Sequence, residues 1–356
     1  MTGPQAPSGA NGGSTPTDSD EPRVYSTTPE EYAALRTHAA LGDRSARSRG
    51  TFTGAKSADV LTGLVTSDVL ALTPGHGSYA AALTPKGKII ADVRLFARAA
   101  DFFVDVPPRA AEGWWGMVRK FVNPRLARHA DVTHRTAELA LLGPKSVDAM
   151  RRALGEGAGE AEALPLFGHF ELATAHGPVT VARVPDFGVE SYALWMAVEA
   201  RDTVHQALLD GGARPVGGAA LEVARMEAGR PEWGVEMDDS TIPQEANFDE
   251  LQAISYTKGC YTGQETVARV HFRGHVNRQL RGLRFNVDEP LVVKAGLFDA
   301  DDKQVGDVRS VAFSPRLGGI ALAMVRREVS PDSELDVRWE GGDSTARVVE
   351  LPFPHG

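Results

Sequence analysis

The chain has 356 residues, of which 42% are hydrophobic and 24% charged, and its formal net charge is −9. This length predicts two or three domains with ordinary hydrophobic cores. The acidic balance argues against general binding to nucleic acid or anionic membranes, and a single cysteine excludes an intramolecular disulfide. No apolar run approaches the roughly 18–20 residues of a membrane-spanning helix and no signal peptide is evident, so we expect a cytoplasmic protein.

The first part of the chain predicts a tail followed by an α+β region. Residues 1–22 are rich in Gly, Ser, Pro and acids, which is typical of a disordered tail. A helix is expected over 29–41, with Tyr32, Leu35 and Leu41 on one apolar face. Within a region extending from 23 to 135, the patterns predict helices at 56–64 and from 114, and strands at 79–83, 89–96 and 102–106.

A second α+β region is expected over 136–278. It contains a predicted strand at 139–142, helices at 146–154, 202–210 and 217–228, and paired strands at 179–184 and 192–198. From 279 to 356, alternating segments separated by turns predict a small antiparallel β-barrel. The expected fold class is therefore α+β with a C-terminal barrel, and the first two regions can be discontinuous in sequence.

The segment 254–269 reads ISYTKGCYTGQETVAR and holds the single cysteine, Cys260. Gly259 and Gly263 allow sharp turns, Lys258 favours a thiolate, and a helix is predicted after Gly263. The polar, turn-rich setting favours a reactive thiol. The alternative, a small buried hydrophobic residue, stays open.

Two histidines, His271 and His275, have the spacing of metal ligands on one helical face. The residues between them break the helix and no cluster of acids or cysteines accompanies them, so we expect surface histidines and no metal site. Walker, GxGxxG and GxSxG motifs are missing, which leaves phosphate hydrolysis, nicotinamide chemistry and serine hydrolysis unsupported. A local basic patch is formed by Arg269, Arg273, His275, Arg278, Arg281 and Arg284.

Several strings coincide with one family: FTGA at 52–55, GLVTSDV at 63–69, RMEAG at 225–229, IPQEAN at 242–247, KGCYTGQE at 258–265, VGDV at 305–308 and SPRL at 314–317. Over residues 24–350 the chain resembles the YgfZ/GcvT family of folate-dependent proteins. The cysteine motif resembles the YgfZ branch, which is tied to iron–sulfur cluster maintenance and tRNA modification. The aminomethyltransferase (T-protein) branch has no cysteine there.

The resemblance implies a GcvT-like, three-lobed ring with tetrahydrofolate in a central hole and the cysteine loop near its mouth. Asp92, in GKIIADVRLF, matches the catalytic aspartate of the aminomethyltransferases, which lies against the folate pteridine. From the residues alone, a solvent-facing strand position remains the alternative. Glu190 is implied to bind the amino-pyrimidinone edge of the pterin, although the string before it departs from the family and reads PDFG. An exposed strand glutamate is its alternative.

Three further residues complete the expected folate-binding set. Arg225 opens the RMEAGR string and is implied to pair with the tail carboxylates of folate. Its alternative is an ion pair with Glu222 or Glu227. Tyr261 and Gln264 belong to the cysteine motif itself.

Three hypotheses about function follow. The first is a YgfZ-type protein that binds a reduced folate, carries the thiolate of Cys260 beside it with the help of Lys258, and supports iron–sulfur proteins or their assembly factors. Because clusters usually take four thiolates, one cysteine would need a partner to hold one. The second is a tetrahydrofolate-dependent aminomethyl- or methyltransferase using Asp92. The third is a folate-binding scaffold without chemistry. None involves nucleic acid or a membrane directly.

Overall fold

The computed structural model describes residues 25–286 and 291–354, so the predicted tail at 1–22 lies outside the described residues. Its α-helices are α1 (Thr28–Thr37), α2 (Ser57–Leu64), α3 (Ala111–Phe121), α4 (Ser146–Leu154), α5 (Arg201–Asp210), α6 (Gly218–Glu227) and α7 (Gln264–Arg273). The strands fall into two α+β sheets and one closed barrel.

The first sheet is antiparallel, with the order β3-β4-β5-β2-β6. Its strands are β2 (Ser48–Thr53), β3 (His76–Leu83), β4 (Ile89–Ala97), β5 (Phe102–Val106) and β6 (Arg128–Asp131). Helices α2 and α3 contribute to its apolar core, where Trp114 packs edge-on against Phe52 at 6.1 Å between ring centroids. Both faces of β4 are covered, because eight of its nine residues are buried.

The second sheet has the order β11-β1-β7-β10-β9-β8. Its strands are β1 (Ala39–Asp43), β7 (Thr136–Leu142), β8 (His169–Thr174), β9 (Gly177–Arg183), β10 (Ser191–Ala197) and β11 (Ala213–Pro215). Strand β1 comes from the start of the chain and pairs antiparallel with β7 and parallel with β11. The predicted helix over 29–41 is therefore too long, because Leu41 belongs to β1 and forms ladder bonds that a helix could not provide.

The barrel closes in the order β12-β15-β14-β13-β16-β17. Its strands are β12 (Arg278–Phe285), β13 (Gly296–Phe298), β14 (Gln304–Ser314), β15 (Gly318–Arg326), β16 (Glu334–Trp339) and β17 (Gly342–Val349). Alternate side chains fill its interior, among them Leu283, Leu297, Val325 and Val337. The expected fold class, α+β with a C-terminal antiparallel barrel, is confirmed.

Buried charges join the two α+β sheets. Arg94 on β4 lies between Asp105 on β5 and Glu138 on β7, and its Nη2 is 3.0 Å from the Glu138 carboxylate. Although burial opposes ionisation, Arg47 and Arg94 hold the pKa of Asp105 well below its ordinary value. Because an unpaired charge here would be strongly destabilising, this network fixes the position of β4 relative to the second sheet.

Candidate functional site

A cavity of about 550 Å³ lies where the two α+β sheets and the barrel meet. Tyr79 of β3 lines it from the first sheet, Phe167 from the segment before β8, Ala228 from the end of α6, and Arg316 from the β14–β15 turn. Its volume falls within the ~300–1,000 Å³ range of small-molecule sites. Since both α+β sheets and the barrel contribute to its wall, the cavity forms only when the whole chain is folded.

A smaller recess of about 40 Å³ shares Tyr79 and Arg230 with the cavity. Asp92 of β4, Asp186 and Glu232 are the acids that line it. The two spaces therefore meet at Tyr79 and Arg230, and the guanidinium of Arg230 lies 5.7 Å from the centre of the Tyr79 ring.

Asp92 is 5% exposed, so the solvent-facing alternative raised for it is wrong. Its Oδ2 accepts a hydrogen bond from the Tyr79 hydroxyl at 3.1 Å, and its Oδ1 accepts one from the backbone N–H of Trp233 at 3.3 Å. Burial, with a smaller contribution from Glu232, raises the pKa of Asp92 to about 6 against the lowering effect of Arg47 and the two hydrogen bonds. A carboxyl group of this kind can donate or accept a proton near neutral pH.

Glu227, at the end of α6, forms ion pairs with two arginines on the cavity wall. Its carboxylate accepts hydrogen bonds from Tyr32 of α1 at 2.9 Å, from Arg36, and from Arg316 at 3.1 Å. Ser314 also donates to it. Arg36 and Arg316 each leave 26% of their side chains exposed, so they can still meet an anionic ligand in the cavity.

Arg225 lines the recess, but other protein groups occupy its guanidinium. It pairs with Glu222 at 2.5 Å and with Glu236 at 2.8 Å, and it also donates to the backbone carbonyl of Arg230. The ion pair with Glu222 raised as its alternative is present, whereas the one with Glu227 is not. With its donors used in this way, Arg225 holds the α6–Glu236 segment.

Glu190, unlike Arg225, lines neither the cavity nor the recess among the described residues. Within the described residues that line the cavity and the recess, the nearest in sequence are Phe187 and Gly188. The Glu190 carboxylate instead accepts a hydrogen bond from the Tyr192 hydroxyl at 2.5 Å, in the second lobe. Asp186, in the string that departed from the family pattern, lines the recess and is held by Arg44 and Arg94 at 2.7 and 2.9 Å.

The cysteine loop lies apart from the cavity. Cys260 is exposed, which excludes the buried-hydrophobe alternative, but among the described lining residues it contributes to neither space. Lys258 is buried and donates from Nζ to the carbonyls of Thr62, Val65 and Ser67 at 2.5, 2.5 and 2.8 Å. Burial lowers the pKa of Lys258 to about 8. The predicted assistance of Lys258 to the thiol is not supported, because carbonyl acceptors occupy its ammonium group.

The other two predicted site residues of the motif, Tyr261 and Gln264, contact the surrounding protein. Tyr261 is buried in an apolar cluster with Leu83, Phe248 and Val267. Gln264 begins α7, and its Oε1 lies 3.4 Å from the backbone N of Tyr261. Neither residue belongs to the described cavity lining, so their predicted contact with a ligand has no geometric support.

The two histidines lie in different surroundings. His271 stacks on Tyr256 with 3.6 Å between ring centroids, and His275 follows the end of α7. In the described ranges, 25–286 and 291–354, no group of three or more His, Cys, Asp or Glu residues is placed to hold a metal ion. Nor does any helix of those ranges have the length and apolarity to cross a membrane.

Tyr79, Arg230, Arg36 and Arg316 are the site residues that the sequence did not indicate. Tyr79 and Asp92 lie on adjacent strands, and Ala81 is directly opposite Asp92 in the β3–β4 register, so Tyr79 is a diagonal neighbour. A pairing of the two predicted strands with that register would have found it. The arginines come from α1, the segment after α6 and the barrel, and only the assembled fold brings them together.

Comparison with known proteins places these features in a family. The sequence model of the family described as the GCVT N-terminal domain matches residues 10–255. The family model of the glycine cleavage T-protein C-terminal barrel domain matches residues 278–354. A protein named aminomethyltransferase from Synechococcus sp. (strain RCC307) is 29% identical over 332 residues, which are 91% of this chain and 89% of that protein. A protein of the same name from Rubrobacter xylanophilus is 29% identical over 334 residues, 93% of this chain and 87% of that one.

A solved structure agrees in fold. The crystal structure of the glycine cleavage system aminomethyltransferase T from Bartonella henselae matches with a TM-score of 0.81 and 22% identity, and the match covers 92% of this chain and 89% of that chain. The N-terminal model alone spans more than half of the sequence. The chain therefore belongs to the GCVT family, whose N-terminal domain and C-terminal barrel it carries in order.

Proposed function

We propose that the protein binds a reduced folate in the central cavity and transfers a one-carbon unit, as an aminomethyl- or methyltransferase does, with Asp92 as the proton-handling group. The observation that carries this proposal is the position of Asp92 in the recess, where burial raises its pKa to about 6. The names of the relatives, aminomethyltransferases of similar length, support the same class of reaction.

The residues of the cavity suit tetrahydrofolate. Tyr79, Phe167 and Leu251 offer aromatic and apolar surface for a flat bicyclic ring. Asp92 and Glu250 can accept hydrogen bonds from N–H groups, while Arg36, Arg230 and Arg316 can pair with tail carboxylates. When bound, tetrahydrofolate supplies ring nitrogens that accept a one-carbon unit.

The residues of the chain would orient the reactants, and Asp92 would donate and accept a proton. The hydrogen bonds from Tyr79 and Trp233 fix the Asp92 carboxyl, so that it keeps one orientation towards the recess. Its raised pKa leaves an appreciable protonated fraction near neutral pH, so the group can give a proton to a leaving amine and regain one from the N–H group that takes up the one-carbon unit. Because only 5% of Asp92 is exposed, the access of water to that group is limited.

A second candidate is favoured by one observation, the exposure of the Cys260 thiol on its glycine-flanked loop. On the YgfZ-type interpretation, the folate-loaded protein supports iron–sulfur proteins, and Cys260 reacts or exchanges with a partner. The thiol would then act at the surface, because Cys260 is not among the described residues that line the cavity.

The assay that separates the two candidates follows methylenetetrahydrofolate formed from an aminomethyl donor. For a transferase, Asp92→Asn lowers turnover by about 100-fold or more, because the proton-handling group is lost, and Cys260→Ala leaves turnover unchanged. In parallel, both variants are tested in cells for the activity of iron–sulfur enzymes. Sensitivity of that activity to Cys260→Ala, with no turnover by the wild type, would overturn the transferase proposal in favour of the second candidate.

A further inference from the structure

The last turns of α7 stand away from the core. Val267 is the one residue of this described helix that is fully buried, whereas Arg269, Phe272 and Arg273 are exposed. Phe272 leaves 67% of its surface exposed, the highest value among the large hydrophobic residues in the described ranges. A single exposed hydrophobic residue is common on protein surfaces, so Phe272 indicates an interaction site only together with the rings and charges around it.

Phe272 is held in place by other rings. It packs edge-on against His271, with 4.7 Å between centroids, and against Tyr256 at 6.1 Å. Tyr256 in turn stacks on His271 and donates a hydrogen bond to Asp249 at 2.5 Å. This ordered cluster pre-organises Phe272, which reduces the entropy lost when a partner packs against it.

A groove of about 450 Å³ is lined by residues that follow the helix end closely in sequence. Asn277 lines it and follows Arg273 by four residues, which span at most about 14 Å of chain. Three cations, Lys88, Arg278 and Arg326, also line it, together with one acid, Glu245. We call Arg269, Phe272 and Arg273, together with these three cations of the groove, the α7 surface.

The α7 surface carries more positive than negative charge. Arg278 is paired with Glu245 at 3.1 Å and Arg326 with Glu328 at 2.5 Å. Lys88, Arg269 and Arg273 have no acidic partner within 25–286 and 291–354, and Lys88 donates instead to the Ser240 carbonyl at 2.6 Å. This local surplus stands out on a chain whose net charge is −9.

We propose that the α7 surface docks an acidic, extended segment of a partner protein, with an apolar side chain of that segment packed on Phe272 and its carboxylates in the groove. Charge complementarity would speed the encounter, and the fixed aromatic ring would act as the anchor. The surface includes no described residue of the cavity lining, so the proposal stands independently of the function assigned to Asp92.

Two other occupants fit less well. A second copy related by two-fold symmetry would bring the α7 surface against itself, and like charges oppose that arrangement. RNA would gain little from Phe272 as a single protruding anchor, and the acidic charge of the whole chain opposes the approach of a long polyanion. Both occupants are distinguished by the experiment below.

The test is a selection of displayed random peptides on the full-length chain at about 0.15 M salt, where long-range attraction is already screened. We expect enrichment of acidic peptides that contain a large apolar residue. Each should lose at least about tenfold in affinity on Phe272→Ser and on Arg273→Glu. The matched controls, Phe313→Ser and Arg125→Glu, replace an exposed phenylalanine and an exposed arginine elsewhere and should leave binding unchanged.

Several results would overturn the proposal. They are a selection without enrichment, enriched peptides with no acidic bias, and peptides that bind Phe272→Ser as tightly as the wild type. Binding of a labelled oligouridine that depends on Arg273 but not on Phe272 would assign the surface to nucleic acid instead. Concentration-dependent dimerisation of the wild type that Phe272→Ser abolishes would assign it to a second copy.

Discussion

At the level of single residues, burial rather than a neighbouring charge dominates the behaviour of Asp92. The carboxyl is 5% exposed, and burial raises its pKa from the ordinary 3.8 to about 6. The ionised form is therefore disfavoured in the folded protein relative to the unfolded chain. The consequence is a pH-dependent penalty on folding, which can be measured without any ligand.

We expect Asp92→Asn to stabilise the protein at pH 7.5 but not at pH 4. Below 3.8 the carboxyl is protonated in both states, and above about 6 it is ionised in both. Between these values the folded state binds more protons, so the stability of the wild type falls as pH rises. The difference of about 2 in pKa corresponds to roughly 3 kcal/mol in the free energy of unfolding. The wild type loses this stability between the two pH values, whereas the asparagine variant, which has no group to ionise, keeps it. Urea denaturation at both pH values measures the free energy of unfolding of the variant and the wild type. An equal difference between the two proteins at both pH values would refute the raised pKa of Asp92.

Asp92 could be anticipated from the sequence by resemblance, but its surroundings could not. Tyr79 reaches it through the β3–β4 pairing and Trp233 through a distant loop. Glu190 and Arg225 were assigned to ligand contacts because strings around them matched the family. A string does not show where a side chain is already engaged, and these two are engaged by Tyr192 and by the Glu222–Glu236 pair.

At the level of elements, the cysteine loop is an anchored connection rather than a rim of the cavity. The Lys258 ammonium bonds three carbonyls at and after the end of α2, where the helix leaves acceptors without partners of its own. It also lies 4.5 Å from the centre of the Tyr261 ring. A lysine near a cysteine in sequence suggested an activated thiol, but the tertiary structure uses the lysine as a helix cap.

Replacement of Lys258 by Met should therefore destabilise the protein by about 3 kcal/mol or more, because three carbonyls lose their donor. The rate at which Cys260 reacts with iodoacetamide should not fall. Lys56→Met, at an exposed lysine that immediately precedes the same helix, is the matched control and should change neither quantity by much. A large drop in thiol reactivity with unchanged stability would show that Lys258 activates Cys260 after all.

Helix and strand types were largely predictable, whereas their partners were not. The alternation after residue 279 correctly predicted the barrel, because each strand of a small barrel has one buried and one exposed face. The end of the first helix was placed too late at Leu41. The bonds that make residues 39–43 a strand come from β7 and β11, which are far away in sequence.

At the level of the whole molecule, the three lobes enclose one shared cavity. Arg36 of α1 and Arg316 of the barrel both bind Glu227 of α6, so three distant segments meet on the cavity wall. Buried ion pairs of this kind are sensitive to the loss of one partner. The cavity is therefore a property of the assembled chain, and no single segment of the sequence could have revealed its lining.

Calorimetric titration with tetrahydrofolate tests most directly the proposed binding of a reduced folate in this cavity. We predict saturable binding by the wild type, the same affinity for Cys260→Ala, and a loss of at least about tenfold for Arg230→Gln, which removes a cation shared by cavity and recess. Absence of binding by the wild type, or a loss for Cys260→Ala with none for Arg230→Gln, would contradict the account.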